Sequence, residues 1–179
     1  YPVGEDEFYE LESGHAALPA PLDATRKGLL VAGNNHSDDL LMYITRRVDG
    51  LEPSTRYRVR YEVQVATNAP KGCAGVGSPP GEAVYVKSGA AGVEPVRVAD
   101  DANHWRLSID IGNQGADGPH GITIGDVANT NTDCTAPVYQ VKTLSSSPRV
   151  LEVVSNGAGE AWLIVGIDSG FEATTRLWY

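Results

Sequence analysis

The sequence predicts an all-β fold, an antiparallel β-sandwich of about ten strands with little or no helix. Residues 56–66 (RYRVRYEVQVA) alternate apolar with charged or polar side chains, which is typical of a strand with one face on the core and one in water. Gly, Pro, Asn and Asp recur between short β-prone segments, as they do in sandwiches and barrels. No window of about 10 residues has the apolar spacing of a helix without an internal Gly or Pro.

The strand assignment covers ten segments, and the loops between three of them are long. Gly50 and Pro53 turn the chain between the second and third segments, so the simplest arrangement is a hairpin of residues 39–48 with residues 56–66. Long loops often carry function or cover a sheet edge. The predicted long loops are residues 67–82, 88–104 and 126–136. The predicted strands are residues 28–34, 39–48, 56–66, 82–87, 105–111, 121–125, 138–144, 149–155, 160–168 and 174–179.

Length and charge restrict the classes of partner. A chain of 179 residues without a linker-like break fits one domain over residues 1–179. The formal net charge is -9, whereas nucleic acids and anionic membranes need clustered Lys and Arg, so no nucleic-acid partner is expected. No stretch approaches the roughly 18 to 20 apolar residues of a transmembrane segment. Any signal peptide or lipid anchor is expected upstream of Tyr1, and the natural chain is expected to extend past Tyr179.

The two cysteines, Cys73 and Cys134, both lie in turn-like contexts rather than in predicted strands. This favours a disulfide over two unpaired thiols, and a disulfide indicates an oxidising compartment. The bond would close a loop of about 60 residues and stabilise the fold by about 4 kcal/mol through loop-closure entropy. No CxxC motif is present, which argues against thioredoxin-like redox chemistry and zinc-ribbon sites.

Several runs resemble known families. Residues 28–69 are similar to the opening strands of jelly-roll modules of the galactose-binding type, which include many carbohydrate-binding modules, and residues 162–179 are similar to their last two strands. Residues 32–40, 66–77 and 168–175 resemble an uncharacterised family of bacterial secreted or lipid-anchored proteins. The resemblance implies a galactose-binding-like jelly roll and a secreted or cell-envelope (periplasmic or surface lipoprotein) location in bacteria. It assigns no activity.

The densest polar run, residues 34–39, lies between two predicted strands. Asn35, His36 and Asp38 are candidate ligand-binding residues, and Asp38 and Asp39 are candidate metal ligands, because Ca²⁺ prefers several carboxylate and amide oxygens on a flexible loop. The same run is also typical of a polar turn in which Asn and Asp side chains cap their own backbone. Both interpretations stay open.

Asp168 and Glu172 flank Gly170 between the last two predicted strands. Both are candidate metal ligands, and Ca²⁺ is the metal that such oxygen ligands suit. Paired carboxylates also perform acid–base chemistry on sugar acetals, but an ordinary loop turn is the favoured interpretation of these two.

Three further residues are candidates for sugar binding. Trp105 stands at a loop-to-strand junction, and exposed aromatic rings stack on pyranose faces. Asn113 and His120 belong to residues 112–120, a loop that can add polar contacts, although its three glycines can equally serve the turn alone. The four histidines lack the spacing of a zinc site, and the glycine-rich residues 75–81 match neither a nucleophile elbow nor a dinucleotide fingerprint.

Three functions follow from these observations. The first is a non-catalytic extracellular or cell-envelope binding module for a carbohydrate or another envelope component. The second is a metal-dependent extracellular hydrolase, and the third is a structural envelope protein without a small ligand. They differ in whether the polar residues 34–39, 113–120 and 168–172 converge in space.

Overall fold

The computed structural model describes residues 1–36 and 39–179, and these residues form strands and loops without an α-helix. All strand pairings within them are antiparallel, which confirms the predicted all-β class. Thirteen strands are present: β1 (Glu12–Ala17), β2 (Lys27–Asn34), β3 (Leu40–Val48), β4 (Arg56–Val59), β5 (Glu62–Thr67), β6 (Val84–Ala91), β7 (Arg97–Ala99), β8 (Trp105–Leu107), β9 (Gly121–Asp126), β10 (Gln140–Ser145), β11 (Leu151–Val154), β12 (Ala161–Ser169) and β13 (Thr174–Trp178).

Two larger sheets form the layers of a β-sandwich. One has the strand order β1-β2-β13-β5-β10 and the other β3-β12-β6-β9. The pairs β4–β11 and β7–β8 form separate two-stranded ladders. Apolar side chains from both larger sheets meet in one buried cluster, which includes Val31, Met42, Val65, Val86, Ile167 and Leu177. The sandwich is therefore held by the hydrophobic contact between its sheets.

The alternating segment 56–66 has the predicted two faces but belongs to two ladders. Tyr61, Val63 and Val65 are buried, whereas the intervening charged and polar side chains are exposed. The chain leaves the ladder with β11 after β4 and joins β10 in β5. At the break, the backbone N–H of Tyr61 donates to Oγ of Ser146 at 2.9 Å. A side-chain acceptor thus replaces the missing strand partner.

The predicted hairpin of residues 39–48 with residues 56–66 is wrong. The partner of β3 is β12, over a register from Leu40 opposite Ser169 to Val48 opposite Ala161. Residues 49–55 instead carry the chain from one sheet to the β4–β11 ladder. Apolar alternation gives each strand a buried face, but it does not choose among several partners with the same pattern.

Two strands were absent from the sequence assignment, and one predicted loop is shorter than expected. Both β1 and β7 are almost entirely exposed, so neither shows the apolar alternation that marks a half-buried strand. Residues 88–104 contain the second half of β6 and all of β7. Residues 68–83 and 127–139 do form long connections, and the predicted disulfide Cys73–Cys134 joins them. Across residues 1–36 and 39–179, no helix has the length and apolar character needed to span a membrane.

Candidate functional site

A cleft of about 430 Å³ lies beside the β3-β12-β6-β9 sheet. Its walls are the start of β3, the end of β12, the β7–β8 ladder and residues 108–113. Four residues singled out from separate parts of the sequence line this cleft: Asp39, Trp105, Asn113 and Asp168. The fold therefore brings part of each predicted polar loop together at one place.

Asp168 is the most deeply buried acidic group of the cleft, with 3% of its surface exposed. Its Oδ2 accepts a hydrogen bond from the backbone N–H of Gln114 at 2.6 Å, whereas its Oδ1 has no hydrogen-bond donor among the described residues. Burial, the hydrogen bond with neighbouring Asp39 and the negative charge of Asp39 together raise the pKa of Asp168 to about 7, and burial contributes most. The Gln114 N–H and the Lys87 ammonium oppose this increase in pKa. Asp168 is therefore protonated below about pH 7.

Lys87 on β6 supports the cleft from behind and is completely buried. Its Nζ donates to the carbonyl of Gln114 at 2.9 Å, to the carbonyl of Ala116 at 2.5 Å and to Oγ1 of Thr123 at 3.1 Å. Desolvation lowers the pKa of Lys87, and nearby carboxylates, chiefly Asp168, act in the opposite direction. Three acceptors suit the three donors of an ammonium group, so Lys87 ties the loop after Ile111 to the sheet.

Two arginines on the β7–β8 ladder contribute the positive charge of the cleft. The Arg97 guanidinium lies 4.1 Å from the centre of the Trp105 ring and donates to Asp6 at 2.6 Å. Arg106 donates from Nε to Asp100 at 2.8 Å, and its Nη1 lies 3.9 Å from Asp39. Each guanidinium thus has a close carboxylate partner outside the residues that line the cleft.

Two predicted ligand-binding residues in the first polar run have structural contacts. Asn35 is buried, and its Nδ2 donates to the carbonyls of Ser169 at 2.8 Å and Phe171 at 3.1 Å. The ring of His36 stacks on Phe8 with 4.0 Å between ring centres, and its Nε2 hydrogen-bonds the Phe8 carbonyl at 3.0 Å. These contacts join the run to distant segments of the chain, and they are not the local backbone caps of the polar-turn interpretation. Asp38 lies outside the described residues.

His120 and Glu172 do not line the cleft that contains the other candidates. The backbone N–H of His120 donates to the carbonyl of Asp110 at 2.9 Å. The backbone N–H of Glu172 donates to the carbonyl of Val76 at 3.0 Å, and its side chain packs beside Gly77. Among residues 1–36 and 39–179, no group of three or more His, Cys, Asp or Glu side chains is arranged to hold a metal ion. The predicted calcium site thus gains no support from the described residues.

Sequence reasoning did not find Lys87, Arg97 or Asp110, although each contributes to the cleft or its support. Lys87 alternates with the buried Val86, a pattern that normally places a lysine in water. The loop that contains Gln114 and Ala116 covers this lysine, and the sequence around Lys87 gives no indication of that contact. For Asp110 a weak signal exists, because Arg106, Ser108 and Asp110 alternate with apolar residues over 105–111.

No protein-family model matches this chain, and a search of curated proteins found no match. The resemblance to galactose-binding-like jelly rolls and to bacterial envelope proteins accordingly stays a prediction.

Proposed function

We propose that the protein is a non-catalytic binding module of the extracellular space or the cell envelope, and that its cleft takes a carbohydrate. The observation that carries the proposal is the meeting of Asp39, Trp105, Asn113 and Asp168 in one cleft, although they come from separate parts of the chain. The cleft volume of about 430 Å³ falls in the range of small-molecule sites.

The chemistry of the cleft suits a ligand rich in hydroxyl groups. Carboxylate oxygens of Asp39 and Asp110 accept hydrogen bonds, and the Asn113 amide both donates and accepts. Trp105 adds an aromatic surface for the apolar C–H face of a sugar, although Arg97 already lies against its ring. Sugar hydroxyls present donors and acceptors in comparable number, so they can satisfy these groups together.

The disulfide supports the proposed location. Cys73 and Cys134 are bonded, and disulfides persist in oxidising compartments such as the periplasm and the extracellular space. An envelope location also brings polysaccharides within reach as ligands.

A glycan array followed by calorimetric titration tests the function. We expect binding to at least one sugar class, and we expect Trp105→Ala to weaken it by about tenfold or more, because an aromatic contact at a binding site commonly exceeds 1 kcal/mol. Phe8→Ala is the matched control, since this exposed aromatic ring lies outside the cleft lining. Thermal melts verify that both variants are folded.

Absence of binding across neutral, acidic and amino sugars would contradict the carbohydrate proposal and favour a structural envelope role. Equal loss of binding in Phe8→Ala and Trp105→Ala would contradict the assignment of the cleft as the site.

A further inference from the structure

We infer that the ligand of the cleft carries a positively charged amine, as an amino sugar does, and that its ammonium group binds at the Asp39–Asp168 pair. This inference rests on the proposed function of the cleft. It narrows the ligand from carbohydrates in general to those with a free primary amine.

The arrangement of the two carboxyl groups is the first argument. Asp168 is 97% buried within the described structure, lines the cleft, and has one oxygen without a donor. Asp39 is hydrogen-bonded to Asp168, and its side chain is 33% exposed. A ligand in the cleft can therefore reach the pair through Asp39. Two ionised carboxylates offer only acceptors, and a proton or another cation must lie between them. A primary ammonium supplies three donors and a positive charge.

The balance of charge in the cleft is the second argument. Arg97 and Arg106 form their closest ion pairs with Asp6 and Asp100, at 2.6 and 2.8 Å. Arg106 lies farther from Asp39, at 3.9 Å. The three aspartates of the lining thus have two further side-chain cations near them, Arg106 and Lys87, and the chain as a whole carries a net charge of -9. A cationic ligand is attracted to such a cleft, whereas an acidic sugar is repelled.

Binding of the ammonium releases the proton of Asp168. Before binding, the carboxyl of Asp168 donates its proton to the carboxylate of Asp39. On binding, this proton leaves to solvent, both carboxylates are ionised, and the ligand's N–H groups take its place, with no covalent bond of the ligand changed.

Other charged groups around the pair set the pH range of this exchange. Lys87 faces the pair from β6 and Arg106 from β8, and both favour ionised carboxylates. Asp110 in the following loop disfavours them, since it adds negative charge to the same cleft. The α-amino group of Tyr1 also lies within electrostatic range of Asp39. Because Asp168 is protonated below about pH 7, proton release is expected at pH 6.

Calorimetry with three β-1,4-linked trisaccharides tests the inference, using glucosamine, N-acetylglucosamine and glucose units at pH 6 with EDTA present. We expect the glucosamine trisaccharide to bind at least about tenfold tighter than the other two, because charge-assisted hydrogen bonds exceed neutral ones in strength. Repeating the titration in two buffers of different ionisation enthalpy gives the number of protons that the protein releases on binding. We expect a net release for the glucosamine trisaccharide.

Two variants on either side of β3 provide the matched comparison. Asp39→Asn is expected to reduce the preference for glucosamine to about threefold or less, since the pair can then hold no bridging cation. Asp49→Asn, at the other end of β3 with a 72% exposed side chain, is expected to retain it. Thermal melts of both variants verify folding.

The outcomes separate the inference from the proposed function. Similar affinity for all three trisaccharides, or binding without proton release, would contradict the inference that the ligand carries an amine. Either result would leave the carbohydrate-binding function standing. Failure of every trisaccharide to bind, together with a silent glycan array, would remove the carbohydrate function itself.

Discussion

Asp168 and Lys87 are ionisable side chains that the fold buries almost completely, at 3% and 0% exposure. Burial of an isolated charge is unfavourable, and each residue reduces that penalty in its own way. Lys87 donates to three oxygen atoms, whereas Asp168 takes up a proton. Both lie on the same face of the neighbouring strands β6 and β12, since Lys87 is opposite Gly166, two residues before Asp168.

The raised pKa of Asp168 predicts a specific pH dependence of stability. In the folded protein this pKa is about 7, above the ordinary aspartate value of 3.8, so the folded state binds more protons between these two values. The contribution of Asp168 to the free energy of unfolding is therefore greatest below about pH 4 and declines as the pH rises to about 7. Asp168→Asn removes this decline, because the amide donates to Asp39 at every pH.

Urea denaturation at pH 5 and pH 7.5 measures this effect. We expect the stability of Asp168→Asn relative to the original protein to increase by about 2 kcal/mol between these pH values. Parallel pH profiles of the two proteins would show that Asp168 is ionised in the fold across this range.

Lys87→Met is expected to loosen the loop that forms one wall of the cleft. Methionine is unbranched like lysine but has no N–H donor. The carbonyls of Gln114 and Ala116 therefore lose their hydrogen bonds from Nζ. We expect a loss of about 2 to 4 kcal/mol in urea denaturation and faster amide hydrogen exchange over residues 112–118.

Lys142→Met is the matched control for that loop. The Nζ of Lys142 also has three oxygen partners, two on Asp126 and one on Ala128, but these lie in another loop. In Lys142→Met, we expect faster amide hydrogen exchange in residues 126–139. Equal effects of both substitutions on residues 112–118 would contradict a local anchoring role for Lys87.

At the scale of elements, β12 is one of the two inner strands of its four-stranded sheet, and its C-terminal end lines the cleft. It pairs with β3 on one side and with β6 on the other. Ile167 places a fully buried side chain in the core between the sheets, next to Asp168 on the opposite face. Packing of the strand and position of the carboxyl group are therefore coupled.

Ile167→Ala is expected to reduce the free energy of unfolding by about 3 to 4 kcal/mol, because it removes buried apolar atoms and leaves a cavity. Val154→Ala on β11 is the control, since Val154 is 48% exposed, and its cost is expected to stay below about 1 kcal/mol. Urea denaturation of both variants measures the difference. Comparable losses would argue against the sheet-to-sheet core as the main source of stability.

At the scale of the whole molecule, the Cys73–Cys134 disulfide connects two long loops, residues 68–83 and 127–139, across a sequence separation of 61 residues. Cross-linking at this separation lowers the entropy of the unfolded chain and stabilises the fold by about 4 kcal/mol. The double substitution Cys73→Ser with Cys134→Ser is therefore expected to lower the free energy of unfolding by about that amount.

Urea denaturation of the double variant, and of the original protein with and without a reductant, measures this contribution. Reduction of the original protein should reproduce the loss seen in the variant. An unchanged midpoint in both experiments would indicate that the connected loops are already restricted in the unfolded chain.

Local patterns were sufficient for the class of fold. The alternation of residues 56–66 correctly predicted one buried and one exposed face, and the turn-like contexts of Cys73 and Cys134 correctly predicted their disulfide. These features depend on near neighbours in sequence, because side-chain period and turn chemistry are properties of short segments.

Strand partners and the site depended on contacts between distant segments. The local pattern of residues 39–48 is compatible both with the predicted hairpin to residues 56–66 and with the observed pairing of β3 with β12. In the fold, β3 and β12 both contribute side chains to the core between the sheets. Asp39, Trp105, Asn113 and Asp168 were each visible in the sequence, but their meeting in one cleft was not. The burial of Lys87 was hidden for the same reason, since a lysine on a strand becomes a buried anchor only where a loop from elsewhere covers it. The sequence alone therefore determined the β-sandwich and its cross-link, whereas tertiary structure decided which polar residues share one low-dielectric environment.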